Sequence, residues 1–203
     1  MQEEKQSGRM EGFSDGVFGI AMTLLVLELR VPTDSARLAH DLAVLAPKYF
    51  AFALSFATIL IMWVNHHGIF LYVRRFDAHI LFSNGLLLLF VTFMPFPTAL
   101  LGDYLLTSQG RVAAAVYALS FVAINLSWIL MWHSIRHRRK VVAPRITDHD
   151  VRALDRSLAI GLGAYVVAAA LALVSAVASA ALVLLIAVFW TVQAFRRHEV
   201  TLA

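Results

Sequence analysis

The sequence predicts an all-α, polytopic membrane protein in which residues 1–203 form a single domain of six transmembrane helices. Its 203 residues are 60% hydrophobic and only 15% charged, whereas about 25% of the residues of a soluble domain are charged. Long stretches contain no Asp, Glu, Lys or Arg, and the longest separates Arg156 from Arg196. In addition, Lys and Arg are concentrated in alternate connecting segments, as in multi-pass membrane proteins.

The first four helices are predicted from stretches long enough for a bilayer crossing, which needs about 20 apolar residues. The first stretch, residues 13–31, ends at Pro32 and a polar loop at 33–41, because proline cannot continue a helix. The next three are bounded by charged residues and predict helices at 49–72, 80–101 and 112–132. Pro95 and Pro97 lie late in the third helix, so we expect them to kink or end it near the outer face.

The last charge-free stretch is long enough for two further helices. It contains 39 residues, which is about twice the length of one crossing. We therefore expect helices at 158–177 and 179–195, joined by a tight turn near 175–179. Both are rich in Ala, Val and Leu and carry few polar residues, so we expect them to pack against lipid while the functional groups lie in the first three helices.

The distribution of basic residues predicts that both termini are cytoplasmic. With that orientation, 13 of the 17 Lys and Arg residues lie in the inner segments and four lie in the outer loops. Such a bias is a strong determinant of membrane topology. It also accounts for the sequence pI of about 9.8, so no nucleic-acid partner is predicted. The chain has no cysteine, which excludes disulfides and thiolate metal sites.

Four polar residues are predicted to lie at similar depth in the inner half of the membrane. Asp15 is near the start of helix 1, His66 and His67 are near the end of helix 2, and Asn84 is near the start of helix 3. They fit either an interhelical clamp that fixes helix 1 or a proton relay or ion site. Adjacent histidines project about 100° apart on a helix, so neither a metal site nor a haem cofactor is predicted. No arrangement typical of an enzyme stands out.

Helix 1 carries an apolar stripe and, beside it, a row of small residues, each following one line along a helix of 3.6 residues per turn. One interpretation is ordinary packing, in which small residues let helices approach closely. The other is a pore face that closes by dewetting, with a threonine hydroxyl about one turn above an isoleucine. The stripe consists of Phe13, Val17, Ile20, Leu24, Leu27 and Val31, and the row consists of Gly12, Gly16, Gly19 and Thr23.

The segment Arg9-x-x-x-Phe13-Ser14-Asp15, followed by GVFGIAMTLLVLEL, resembles the signature that opens each six-helix repeat of the transmembrane protein 175 family. Members of this family are potassium-permeable channels of prokaryotic membranes and of animal endosomes and lysosomes. A single repeat is similar to the prokaryotic form, which implies a homotetramer with one first helix per subunit around a central pore. The resemblance further implies that the signature holds this pore helix to its neighbours.

The same resemblance implies roles for residues along helix 1. Ile20, five residues past Asp15, matches the principal hydrophobic constriction of the family, and Leu24 and Leu27 match further apolar rings. Thr23 matches a threonine linked in the family to potassium preference. Depth in the membrane adds four residues to the polar network of the signature: Trp63, His66, His67 and Asn84.

We therefore expect a potassium-permeable cation channel in the prokaryotic plasma membrane, with potassium and the lipid bilayer as its partners and no cofactor. Its preference for potassium over sodium should be modest, because a hydroxyl ring and an apolar neck cannot replace a hydration shell as stacked carbonyls do. The alternative is a proton-coupled carrier that uses Asp15 with His66 or His67, since histidine titrates near neutral pH. Against the alternative, the chain lacks inverted repeats and matched broken helices.

Overall fold

The computed structural model describes residues 2–33, 35–70, 73, 77–137 and 147–202. The predicted end of the second helix, at residue 72, lies outside these residues. Within the described residues the chain forms eight α-helices and two 3₁₀-helices. The α-helices are α1 (Gln2–Leu24), α2 (Leu38–Val44), α3 (Ala46–Phe70), α4 (Ala78–Phe93), α5 (Pro95–Tyr104), α6 (Gly110–Arg136), α7 (Asp148–Ala172) and α8 (Ala176–Leu202).

These helices supply six spans long and apolar enough to cross a membrane, which confirms the predicted all-α architecture. Helices α4 and α5 together form the third span, Ala78–Tyr104, and α2 lies between the first two. The turn between α7 and α8 falls at residues 173–175, slightly before the predicted position. We call the end of the bundle at Ser14 and Asp77 the inner end and the end at Glu28 and Lys48 the outer end, after the predicted topology.

The first span differs from its prediction at both ends. Its helix begins at Gln2, well before residue 13, and α-helical geometry stops at Leu24, where a 3₁₀-helix over Leu25–Glu28 follows. The outer residues therefore do not continue the α-helical stripe: in 3₁₀ geometry, residues three apart lie directly above each other. The predicted loop 33–41 is also wrong in part, because it contains a 3₁₀-helix over Ser35–Arg37 and the start of α2.

The third span is interrupted where its two prolines lie, as the sequence predicts. Helix α4 ends at Phe93 and α5 begins at Pro95, the first position of a helix, where the missing proline N–H has no intrahelical partner to lose. Helix α5 then extends to Tyr104, three residues beyond the predicted end of the third helix at residue 101. At the other end of the span, the Asp77 side chain caps α4 by accepting a hydrogen bond from the Ile80 backbone N–H at 3.0 Å.

The core of the bundle is built around α6, the most buried span, which contacts α4, α5, α7 and α8. A polar contact crosses the core towards the outer end, where Ser55 Oγ lies 2.7 Å from Thr98 Oγ1 and 2.9 Å from Tyr117 Oη. At the inner end, Asp155 on α7 accepts hydrogen bonds from Trp132 and Arg136 on α6. Helix α1 packs on α3 and α4 at the edge of this core.

Candidate pore-lining face and its polar anchor

Helix α1 has one face that is completely buried. Ser14, Phe18, Ala21 and Leu25 are each 0% exposed. Their spacing of four, three and four residues places them on one side of a helix. Because α1 contacts α3 and α4, this is the face that attaches α1 to the rest of the bundle.

A second face of the first span carries the predicted constriction residues and is largely uncovered by the described chain, and we call it the unpartnered face. Ile20 is 59% exposed, Leu24 is 40% exposed and Leu27 is 69% exposed. In the most apolar stretch of this span 22% of the residues are buried, the smallest share among the six spans. Leu27 belongs to the 3₁₀-helix, so it lies directly above Leu24 and not on the α-helical line drawn from the sequence.

The glycines of the row beside this face also have no close neighbour among the described residues. A Cβ atom added at Gly12, Gly16 or Gly19 would meet nothing within 4 Å outside its own helix. Ordinary packing between helices of one chain therefore does not account for these glycines. The groove that they form is available to a second molecule.

Thr23 is exposed on the same side of α1. Its Oγ1 donates a hydrogen bond to the carbonyl oxygen of Ile20 at 2.8 Å. The hydroxyl proton is thus engaged within the helix, and the oxygen retains lone pairs that can face outwards. An oxygen in this state can contact a cation.

A polar network joins α1, α3 and α4 at the inner end. Asn84 Nδ2 donates to Ser14 Oγ at 3.0 Å, and His66 Nε2 lies 2.8 Å from Asn84 Oδ1, to which it donates. Ser14 and Asn84 are 0% exposed and His66 is 1% exposed. Buried polar groups are stable when they are hydrogen-bonded, so this chain of bonds fixes the three helices to one another.

Aromatic side chains enclose the His66 ring on several sides. The ring centroid lies 4.1 Å from that of Phe70, 5.3 Å from that of Phe18 and 5.9 Å from that of Trp128. No pattern in the sequence indicates these pairwise ring contacts. Trp128 is the one residue that could have indicated them, because a large aromatic ring inside an apolar helix usually packs against other rings.

A second contact joins α1 to α3 beside the network. The indole Nε1 of Trp63 donates to Asp15 Oδ1 at 2.8 Å. The Trp63 ring also stacks on His67, which is exposed, with ring centroids 6.4 Å apart. The hydrogen-bond donor to Asp15 is therefore the neutral indole N–H of Trp63.

Two contacts that would place a positive charge or a histidine against Asp15 are not formed among the described residues. Among the described residues no ion pair joins Arg9 to Asp15, and Arg9 and Phe13 are exposed. Asp15 and His66 have different hydrogen-bond partners, so one of the two pairs that the carrier alternative allows is not hydrogen-bonded. The part of the chain that the structure describes also contains no group of three or more His, Cys, Asp or Glu able to hold a metal ion.

The fold and this site define a multi-pass α-helical membrane protein whose first span presents an unpartnered face with a fixed inner end. The family described as "Endosomal/lysosomal potassium channel TMEM175" matches residues 9–95. A protein of Chamaesiphon minutus named as a potassium channel is 44% identical over 195 residues, which cover 94% of this chain and 96% of that protein. The chain belongs to the TMEM175 family.

Two further comparisons agree with this assignment. A protein of Streptomyces collinus, also named as a potassium channel, is 42% identical over 174 residues, which cover 84% of each chain. The crystal structure of a lysosomal potassium-selective channel TMEM175 homologue from Chamaesiphon minutus has a TM-score of 0.84 and 44% identity, and the match covers 94% of this chain and 98% of that one. The resemblance stated from the sequence is confirmed at the level of the family.

Proposed function

We propose that this protein is a potassium channel of the prokaryotic plasma membrane, in which residues 1–203 act as one six-helix unit. The names of its relatives support the class of activity. The observation that carries the proposal is the division of α1 into a fully buried face and an unpartnered face. A helix with these properties suits the wall of a conduit built from several copies, and we propose a homotetramer with both termini cytoplasmic.

In this arrangement Ile20 forms the main hydrophobic constriction, with Leu24 and Leu27 as further apolar rings. Their exposure within one chain supports the assignment, because branched aliphatic side chains from several copies would surround the axis and exclude water from a narrow passage. Thr23 adds a ring of hydroxyl oxygens with a modest preference for potassium over sodium. An anchoring role in the proposal falls to Ser14, Asp15, Trp63, His66, His67 and Asn84. Arg9 and Phe13, the other two residues of the signature, are exposed within one chain. None of these residues has a catalytic role in the proposal.

The proposal is tested by potassium flux into liposomes that contain the purified protein. Ile20→Asn should raise the flux several-fold, since a polar side chain lets water wet the constriction. Ile160→Asn on α7 is the matched control, because Ile160 is 60% exposed against 59% for Ile20. We expect the control to leave the flux unchanged. Absence of potassium flux in the wild-type protein under any gradient would overturn the proposal.

A further inference from the structure

A cavity lies between α3, α6, α7 and α8, and no residue of α1 lines it. Its volume is about 60 Å³, against roughly 10–15 Å³ that one water molecule requires. Most of its lining is aliphatic or aromatic, and it includes Trp128, Tyr165 and Trp190 but no Asp, Glu, Lys or Arg. All of the lining residues belong to the candidate membrane spans.

Asn125 is the polar feature of this cavity that lacks a partner. The residue is 5% exposed, and its Oδ1 atom has no hydrogen-bond partner among the described residues. Gly161 makes room for the amide, because a Cβ atom there would lie 2.8 Å from Asn125 Nδ2 and 3.0 Å from the Trp190 ring. An unpaired buried amide is unfavourable, and a ligand with a hydrogen-bond donor would remove that cost.

Two other polar side chains of the lining are engaged in their own helix. Asn65 Nδ2 donates to the Ile61 carbonyl oxygen at 3.0 Å, and Thr58 Oγ1 donates to the Leu54 carbonyl oxygen at 2.6 Å. Besides the Asn125 amide, the lining therefore contains the Tyr165 hydroxyl and the indole N–H groups of Trp128 and Trp190, in an otherwise apolar and aromatic cavity. Since no charged residue faces the cavity, it would not stabilise a charged ligand.

We propose that this cavity binds a neutral alcohol from the membrane phase, with its hydroxyl on Asn125 and its apolar part between Trp128, Tyr165 and Trp190. A hydroxyl is both donor and acceptor, so it can pair with either end of the amide. The occupant enters from the membrane because the cavity lies within the spans. The proposal concerns binding alone, and its test involves no ion flux, so it can fail or succeed independently of the channel proposal.

The test uses ¹⁹F NMR on the full-length protein in lipid nanodiscs with two probes of the same shape. The probes are 4,4,4-trifluorobutan-1-ol and 1,1,1-trifluoropentane, which differ by a hydroxyl in place of a methyl group. After correction for partition into protein-free nanodiscs, we expect saturable binding of the alcohol, tighter than that of the alkane by about 2- to 10-fold, the worth of one neutral hydrogen bond. Equal affinity for the two probes, or saturation by neither because water alone fills the cavity, would overturn the proposal.

Two variants locate the binding. Asn125→Leu should remove the preference for the alcohol without lowering the midpoint of thermal unfolding, because it deletes an unpaired polar group. Ala187→Leu should fill the cavity and abolish binding of both probes, while Ala181→Leu on the exposed side of α8 should leave binding unchanged. Wild-type affinity for the alcohol in both Asn125→Leu and Ala187→Leu would place the probe elsewhere and contradict the proposed site.

Discussion

Asn84 shows how one fully buried side chain can connect three helices. Its amide donates to Ser14 on α1 and accepts from His66 on α3, so the two ends of one group have different partners. Aspartate lacks the donor and leucine lacks both functions, although each has a similar volume. The network therefore depends on an amide at this position.

We predict that Asn84→Leu lowers the midpoint of thermal unfolding in detergent by several degrees. The substitution leaves Ser14 and His66 buried without their partner, and each unpaired group costs about 1–3 kcal/mol. Asn65→Leu is the control, because the Asn65 amide bonds only to a carbonyl oxygen of its own helix in the described structure. Equal effects of the two substitutions, measured by circular dichroism, would show that the network adds no particular stability.

Thr23 differs from other helical threonines in its position and not in its hydrogen bond. Thr92 on α4 is also exposed and donates to the carbonyl oxygen three residues earlier, at 2.9 Å against 2.8 Å for Thr23. The local geometry of a hydroxyl therefore does not identify a selectivity residue. Its location on the unpartnered face of α1 is what distinguishes it.

Thr23→Ala should lower the potassium-to-sodium permeability ratio towards unity, because the ring of hydroxyl oxygens is lost. Thr23→Ser should keep most of the wild-type ratio, since it retains the oxygen. The ratio is obtained from reversal potentials in planar bilayers, with Thr92→Ala as the matched control. A wild-type ratio in Thr23→Ala would assign selectivity to another group.

Individual helices differ in how far the sequence predicts them. The break between α4 and α5 was predictable, because proline at residue 95 fixes the backbone and removes a donor. The change to a 3₁₀-helix after Leu24 was not, since the amphipathic pattern continues through Leu27 without a local signal. The length of α1 was also missed: polar residues 2–12 continue the helix beyond the apolar stretch from which its start was predicted.

At the level of helix α1, we predict that Gly16→Leu reduces assembly into tetramers without unfolding the protomer. A side chain at this position meets nothing within the chain, so it would disturb only a neighbouring molecule that occupies the glycine groove. Gly163→Leu on α7 is the matched control, because a Cβ there also meets nothing within 4 Å. The measurement is the molar mass in detergent by light scattering after size-exclusion chromatography.

An unchanged tetramer mass for Gly16→Leu would place the glycine row outside the contact between subunits. Loss of helical signal in Gly16→Leu but not in Gly163→Leu would instead show that the row supports the fold of a single chain.

Polar contacts connect the helices of the bundle towards both of its ends. The inner contacts could be predicted from the sequence, and the outer contacts could not. The inner network contains Asp, His and Asn, which are rare enough in apolar helices to be noticed and matched by depth. The outer contact of Ser55, Thr98 and Tyr117 was missed. Serine and threonine in membrane helices often bond to their own backbone, so their presence does not indicate a tertiary partner.

The predicted topology of the whole molecule can be tested with single cysteines, because the natural sequence contains none. Ser108→Cys lies between α5 and α6, and His149→Cys lies in the first turn of α7, both at exposed positions. With both termini cytoplasmic, a membrane-impermeant maleimide should label Ser108→Cys in intact cells and His149→Cys only after permeabilisation. The reverse pattern would invert the orientation.

The uneven attachment of α1 limits how this helix can move. Hydrogen bonds from Asn84 and Trp63 hold it at Ser14 and Asp15, near its middle, whereas the part of the span beyond them is held by the apolar side chains of Phe18, Ala21 and Leu25. Sliding apolar surfaces past each other is easier than separating hydrogen-bonded groups where no water can replace the partner. A tilt of α1 would therefore pivot at Ser14 and Asp15, and the displacement would grow with distance from that pivot, being larger at Leu24 than at Val17.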